Sequence, residues 1–264
     1  MRTQFSTVLL LAGLVLTAMT GCTTRPLAIH PEQATAFRTR AEAHFQRGFY
    51  LKPTEASNVA TQVWQLAPLF IIEASETHSL QDLPAPVARP QVFFQPGHTM
   101  LNGRRHEQMT YWWTYPNDSR DRRDALSAQG VRITLNTAGQ PVIWEVLADT
   151  SGAQVGFVAQ SLEAQAVREF GTPLDGRRFA IERSPADAPM VVVARVIEDG
   201  PVTMGPIVYL RAGTREVTTV ICRCMEAQVR ELVGQQEYDL VGSKPTRVFF
   251  ASDVAERLRP PRNF

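Results

Sequence analysis

The sequence predicts an α+β fold: a mixed or mostly antiparallel sheet with short helices, preceded by a small helical region. Three observations carry this expectation. Stretches rich in β-branched and aromatic residues, separated by Gly, Asn and Pro turns, fill most of residues 97–264; helical periodicity is concentrated between residues 31 and 66; and prolines at 84, 86, 90 and 96 interrupt the chain between the two. The expected organisation is a leader over 1–21, an N-terminal and helical region over 22–80, a Pro-rich extended linker over 81–96 and an α+β body over 97–264.

Pro31 suits the first helical position, where a missing N–H costs nothing. Phe37, Ala41, His44 and Phe45 then share one stripe, which Gly48 can end. A second helix is expected from Glu55 to Leu66, stopped near Pro68. Leu69 to Ile72 is an apolar run too short for periodicity to assign. In the body, Met109, Tyr111, Trp113 and Tyr115 alternate with Thr110, Trp112 and Thr114, the period of a strand with one aromatic face. Val131 to Leu135 and Val142 to Leu147 flank Asn136 to Gln140, a hairpin whose glycine supplies the turn. Met190 to Ile197 reads as a central strand buried on both faces, and Ile207 to Leu210 and Glu216 to Ile221 add two more. Gly156 to Gly171 and Thr219 to Gly234 each run from a β-branched stretch into a helix-forming one and share a Glu-Ala-Gln core. Duplication of a strand-helix unit is one reading; chance similarity of two helices built from good helix formers is the other.

Composition excludes several classes. With 44% hydrophobic and 20% charged residues in 264, disorder is ruled out and a sizeable core is available. Lys and Arg number 27 against 26 Asp and Glu; a net charge of +1 lacks the basic excess that displaces counterions from nucleic acid.

At the N-terminus, Met1-Arg2 precede the apolar run Val8 to Val15, which is too short to span a bilayer and leads to Met19-Thr20-Gly21-Cys22. This is the build of an export signal. The last four residues resemble the lipobox of bacterial lipoproteins: Thr20, Gly21 and Cys22 fit, while Met19 stands where the family prefers Leu. The resemblance implies cleavage after Gly21, a thioether-linked diacylglycerol on Cys22, and an envelope protein whose partner through that anchor is the lipid bilayer. Thr23 rather than Asp after the cysteine implies the outer membrane, facing the periplasm. Once Arg2 is removed, basic and acidic residues balance, so the acyl chains rather than charge must do the anchoring.

Among chemical candidates, Cys222 and Cys224 lie where a predicted strand runs into a predicted helix, a place where backbone N–H groups and the helix dipole can stabilise a thiolate. They suit a disulfide or redox pair or a soft metal; the bland alternative is two small buried side chains or a static bridge. His98 and His106 flank Asn102-Gly103, a hairpin tip, either as facing ligands or as exposed turn residues. The segment His106 to Thr110 lacks the second histidine of a zinc-protease helix. Trp112, pointing opposite to Tyr111 and Trp113, is the candidate platform for a sugar ring, set against a core role for the whole cluster. Asn117 to Asp124 mixes three aspartates with three arginines, a self-paired solvated loop. No phosphate-binding, dinucleotide, calcium-loop or nucleophile-elbow motif is present, and neither a catalytic residue, a metal site nor a cofactor is expected. Two functions follow as expectations: a non-catalytic binding or assembly component of the envelope, with an envelope protein or glycan as partner, or a thiol-disulfide or soft-metal handling protein using Cys222 and Cys224.

Overall fold

The computed structural model describes residues 31–55, 59–74, 89–114, 128–149, 153–183, 191–243, 254–262 and 264. Cys22, the leader, residues 81–88 and the 117–124 loop lie outside them. The first half of the described chain contains α1 (Pro31–Ala41), β1 (Phe45–Pro53), α2 (Thr61–Leu66), β2 (Leu69–Glu73), β3 (Gln91–Leu101), β4 (Arg104–Thr114), β5 (Ala128–Leu135) and β6 (Pro141–Leu147). The second contains β7 (Gln154–Ala159), α3 (Gln160–Phe170), β8 (Val191–Ile197), β9 (Pro206–Leu210), β10 (Val217–Cys222), β11 (Val229–Gly242) and α4 (Val254–Leu258). The chain is mostly β with short helices. Its eleven strands form one mixed sheet, in the order β10-β9-β2-β1-β11-β3-β4-β5-β6-β7-β8, that curls until its two end strands approach each other and nearly closes into a barrel.

The stretch from β3 to β7 is an antiparallel meander, whereas β1 with β11, β11 with β3, β2 with β9 and β7 with β8 pair in parallel. The expected hairpin around Asn136 is β5–β6; the Asn136 side-chain oxygen accepts the N–H groups of Ala138 and Gln140, and Gly139 turns at φ 79°. β1 and β2, which precede the Pro-rich segment in sequence, lie between β9 and β11, so strands on both sides of residues 81–96 share one sheet.

Several local expectations need correction. The first helix stops at Ala41, and Phe45, expected on its stripe, instead opens β1. The sequence Phe45-Gln-Arg-Gly-Phe-Tyr-Leu is as good a strand as a helix, and pairing with both β2 and β11 decides between them. Gly48 belongs to that pairing: a Cβ there would meet the methyls of Ile71 and Val229 at 2.8 and 2.9 Å. The second helix begins at Thr61 rather than Glu55, and residues 69–72 resolve into β2. β8, read as a central strand, ends the sheet; it is buried because α1 rather than another strand covers its free side. The 219–234 segment forms a strand, a turn and the start of β11 where the duplication reading required a helix, so the strand-helix unit is not repeated.

The concave side of the sheet holds the main core. Phe70 on β2 meets Trp113 on β4 edge-on at 4.8 Å and Tyr238 on β11 at 5.6 Å, joining strands that are not neighbours in the sheet. One rim is capped by α2: the hydroxyls of Tyr111 and Tyr238 donate to the carbonyls of Val63 and Pro68, both at 2.6 Å, and the Gly205 N–H donates to Gln65 at 2.8 Å. Because side chains alternate along a strand, Ile71, Ile207, Tyr209 and Ile221 point the other way and form a second cluster with Phe45, against which Met225 packs. The C-terminus is fastened to the β3–β4 hairpin: Asn102 donates to the carbonyls of Pro260 and Pro261, and the His106 ring stacks on Phe264 at 4.4 Å.

Gly205 sits so close to α2 that an added Cβ would collide with the carbonyls of Leu66 and Ala67, whereas Gly97 faces open space. Gly205→Ala is expected to destabilise by about 1–3 kcal/mol through overpacking, with Gly97→Ala near neutral. Urea melts of the two variants against the parent check this.

Candidate functional site

The feature that sets this sheet apart is its unclosed seam between β8 and β10, and α1 fills it. Ala34, Phe37 and Ala41 form the buried stripe of α1, while Arg38 and Arg40 flank it. Arg38 gives Nη2 to both oxygens of the Glu182 carboxylate at 3.0 and 3.2 Å, and Nε to the Val193 carbonyl at 3.4 Å. Glu182, almost fully buried, also accepts the N–H groups of Arg178, Phe179 and Val193 at 3.0, 3.0 and 3.1 Å. Two edge groups of β8, the N–H and C=O of Val193, are thus satisfied by an ion pair where a neighbouring strand would otherwise stand. Arg40 reaches the buried Asp149 at 2.9 Å and Glu216 at 3.7 Å, tying the same helix to the far side of the seam.

Beside the C-terminal end of α1 the seam opens into a cleft of about 340 Å³ lined by Glu42, His44, Arg178, Phe179, Arg195 and Gln228, among others. Arg195 Nη1 donates to the Ala41 carbonyl at 3.3 Å, at the negative end of the helix, and to the Gln228 side chain at 3.1 Å. Arg178 is less constrained: it pairs with Glu42 at 3.6 Å, both half-exposed, and lies over the Phe179 ring at 5.5 Å. The loop carrying Arg178 and Phe179 is pinned from α3, where the Glu163 carboxylate accepts the N–H groups of Ala180 and Ile181 at 2.6 and 3.1 Å. Burial raises the Glu163 pKa above the ordinary carboxylate value, outweighing the opposite pull of those two donors.

The cysteine pair lies elsewhere on the seam. Cys222 ends β10 and is joined by a disulfide to Cys224, Cα to Cα 5.2 Å; Cys222 is buried and Cys224 exposed. A turn follows, closed by the Met225 N–H to the Cys222 carbonyl at 3.2 Å, and no helix begins there. The expected helix dipole is therefore absent from this site. Between the cysteines, Arg223 turns inward; its buried Nε and Nη2 have no hydrogen-bond partner, and Tyr238, Tyr50 and Tyr111 lie within electrostatic reach. Cys222 borders a crevice of only about 20 Å³ with Trp144, Gly200 and Met204.

The other sequence candidates separate. His98 is exposed and sits opposite Glu107 in the β3–β4 ladder, whereas His106 is buried on the opposite face and its Nδ1 donates to the Leu135 carbonyl at 3.0 Å, so the two do not converge. Trp112 is buried and stacks on Phe93 at 5.7 Å, and both faces of β4 are covered there, the arrangement that the core reading of the aromatic cluster expects. Among the described residues no group of three or more His, Cys, Asp or Glu is placed to hold a metal. The residues that sequence reasoning missed are Arg38, Glu182, Arg178 and Arg195. The one local signal was two arginines flanking an apolar helical stripe; Glu182 lies 144 positions from Arg38. Compared with known proteins, the chain matches no family model, no curated protein and no solved structure.

Two outcomes follow from this arrangement. Removing one partner of the seam pair strands a buried charge, so Arg38→Ala is expected to lower the unfolding free energy by about 3 kcal/mol, read from urea melts. Arg47→Ala, which breaks an exposed pair with Glu231, is expected to cost under about 1 kcal/mol in the same melts. For Glu163 the folded pKa is the higher one, so its protonated form stabilises the fold. That contribution is lost as pH rises from the unfolded value of about 4.3 through the raised folded value. Glu163→Gln is expected to flatten that stretch of the stability profile, measured by melts from about pH 4 to about pH 7.

Proposed function

We propose that this chain is a bacterial envelope lipoprotein, anchored through an acylated Cys22 to the outer membrane and facing the periplasm. On this reading its folded body is a non-catalytic binding or assembly component. The leader, Met1 to Cys22, supports the anchor. The cleft at the end of α1 carries the binding reading: it is open and lined by two guanidinium groups, and the carboxylate that pairs with one of them, Arg178, is half-exposed and 3.6 Å away. Exposed ion pairs contribute about 0–1 kcal/mol, so a carboxylate arriving on a partner can displace Glu42 from Arg178 at little cost. The partner that suits this chemistry is an acidic segment of another envelope protein. Eight residues, 23–30, join Cys22 to Pro31, nine residue-to-residue steps with a reach of at most about 30 Å, so the helix framing the cleft starts near the membrane surface.

Two experiments test the reading. Cys22→Ser is expected to leave an unprocessed, unacylated precursor, because serine supplies no thioether sulfur; normal processing of this variant would end the lipoprotein assignment. A photo-crosslinking residue at Gln228 in growing cells is expected to trap one envelope protein, and Arg178→Glu is expected to abolish the adduct. The exposed Met100 serves as the control position. Equal adducts at Gln228 and Met100, or adducts indifferent to Arg178, would remove the cleft as the binding site.

A further inference from the structure

We propose that Cys222 and Cys224 form a thiol-disulfide exchange site in which Cys224 is the sulfur attacked and Cys222 the sulfur released. The inference stands apart from the cleft and does not depend on it. A bridge across one residue removes little freedom from the unfolded chain, and the end of β10 is already fixed by pairing of Cys222 with Pro206. Holding the fold is therefore a small part of what this bond can do.

The two sulfurs are unequal. Cys224 is exposed; Cys222 is only 5% exposed, behind Gly200, Met204 and Trp144. The packing there is close: a Cβ on Gly200 would sit 3.3 Å from the Cys222 sulfur. A thiolate arriving from solvent reaches Cys224 and not Cys222. The Cys224 N–H donates to the Cys222 sulfur at 3.2 Å, placing a donor on the atom that takes up negative charge when the bond breaks. On the other side, the Asp199 carbonyl lies 3.9 Å from the Cys224 sulfur, where it can accept the S–H of the reduced state. That carbonyl is steadied because the Asp199 carboxylate holds the backbone N–H and hydroxyl of Ser161 at the start of α3.

The co-reactant is a dithiol protein or peptide. Its first thiolate forms a bond to the Cys224 sulfur, the Cys222–Cys224 bond breaks, and the electron pair leaves on Cys222 as a thiolate. The partner's second thiolate then attacks the partner sulfur of this mixed disulfide and expels Cys224. The partner departs as a disulfide, two electrons now reside on the cysteine pair, and the two protons given up by the partner thiols complete the Cys222 and Cys224 thiols. Reaction with an oxidised disulfide runs the same steps backwards.

The test uses the full-length chain in detergent, with glutathione as probe and alkylation read residue by residue in a mass spectrometer. In native buffer, millimolar reduced glutathione is expected to convert the bridge to two alkylatable thiols, and oxidised glutathione to restore it. In single variants, Cys224 of Cys222→Ser is expected to form the glutathione adduct at least about ten-fold faster than Cys222 of Cys224→Ser, as exposure dictates. A bridge that resists glutathione until the chain is unfolded overturns the proposal. So does equal or inverted reactivity of the two sulfurs, or a freshly isolated pair of thiols that oxidised glutathione leaves free. The parent measurement decides even if a single variant fails to fold.

Discussion

The Arg38–Glu182 pair is the constraint on which the rest of the architecture turns. A sheet that curls without closing leaves two edges, and an unpaired edge is both unstable and open to other strands. Here the edge of β8 is satisfied by side chains: one carboxylate takes the Val193 N–H, one guanidinium gives to its carbonyl, and the two hold each other. Desolvating such a pair is costly unless its remaining hydrogen-bond capacity is filled. Glu182 meets that condition by also taking the N–H groups of Arg178 and Phe179. The same six groups therefore fix α1, the edge strand and the loop that builds the cleft, and a side-chain seal rather than a twelfth strand is what leaves a cleft there at all.

The cleft and the cysteine pair are joined by one short piece of chain. Residues 223–228 run from the end of β10 to the start of β11, two strands separated in the sheet by β9, β2 and β1. The disulfide opens this connection; Met225 packs on the second cluster; the Gln228 N–H donates to the Tyr209 hydroxyl oxygen at 2.6 Å, and its side chain holds Arg195 in the cleft. Parallel crossovers usually need a dozen residues or more, so a connection this short has little slack between its ends.

What could be read from the sequence was local. The β5–β6 hairpin is specified by alternation and by Asn136 and Gly139, residues whose turn chemistry acts within five positions. β9 and β10 fell where β-branched residues placed them. Failures came where distant partners decide. Thr219 to Gly234 contains good helix formers, yet β11 fits between β1 and β3, and those ladder bonds outweigh propensity. Val191 to Ile197 is as apolar as a central strand because α1 buries it, and no periodicity within seven residues can tell a covering helix from a neighbouring strand. For the same reason Cys222 ends a strand as its sequence suggests but is followed by a turn rather than a helix, and alternation alone cannot choose between the two readings of Trp112, because Phe93 on the neighbouring strand covers its face.

The filling of the interior decides where this protein can do chemistry. Barrel diameter grows with strand number, and about eight strands already make an interior just wide enough for side chains to fill. Eleven would enclose a lumen if the section were round. It is flattened instead: Phe70 and Trp113, on strands separated by β1, β11 and β3, have ring centroids 4.8 Å apart, and Tyr111, Trp144, Phe157 and Tyr238 join the same buried cluster. Its tyrosine hydroxyls spend their hydrogen bonds on the α2 cap, sealing that end. With the core given to aromatic packing, polar groups able to meet a partner are displaced to the one line where the sheet does not close. The exposed Arg178 at the cleft and the exposed sulfur of Cys224 both lie along it. A lumen-binding role would require this aromatic layer to part, breaking edge-on ring contacts worth about 0.5–1.5 kcal/mol each beyond their burial. The seam asks for no such rearrangement.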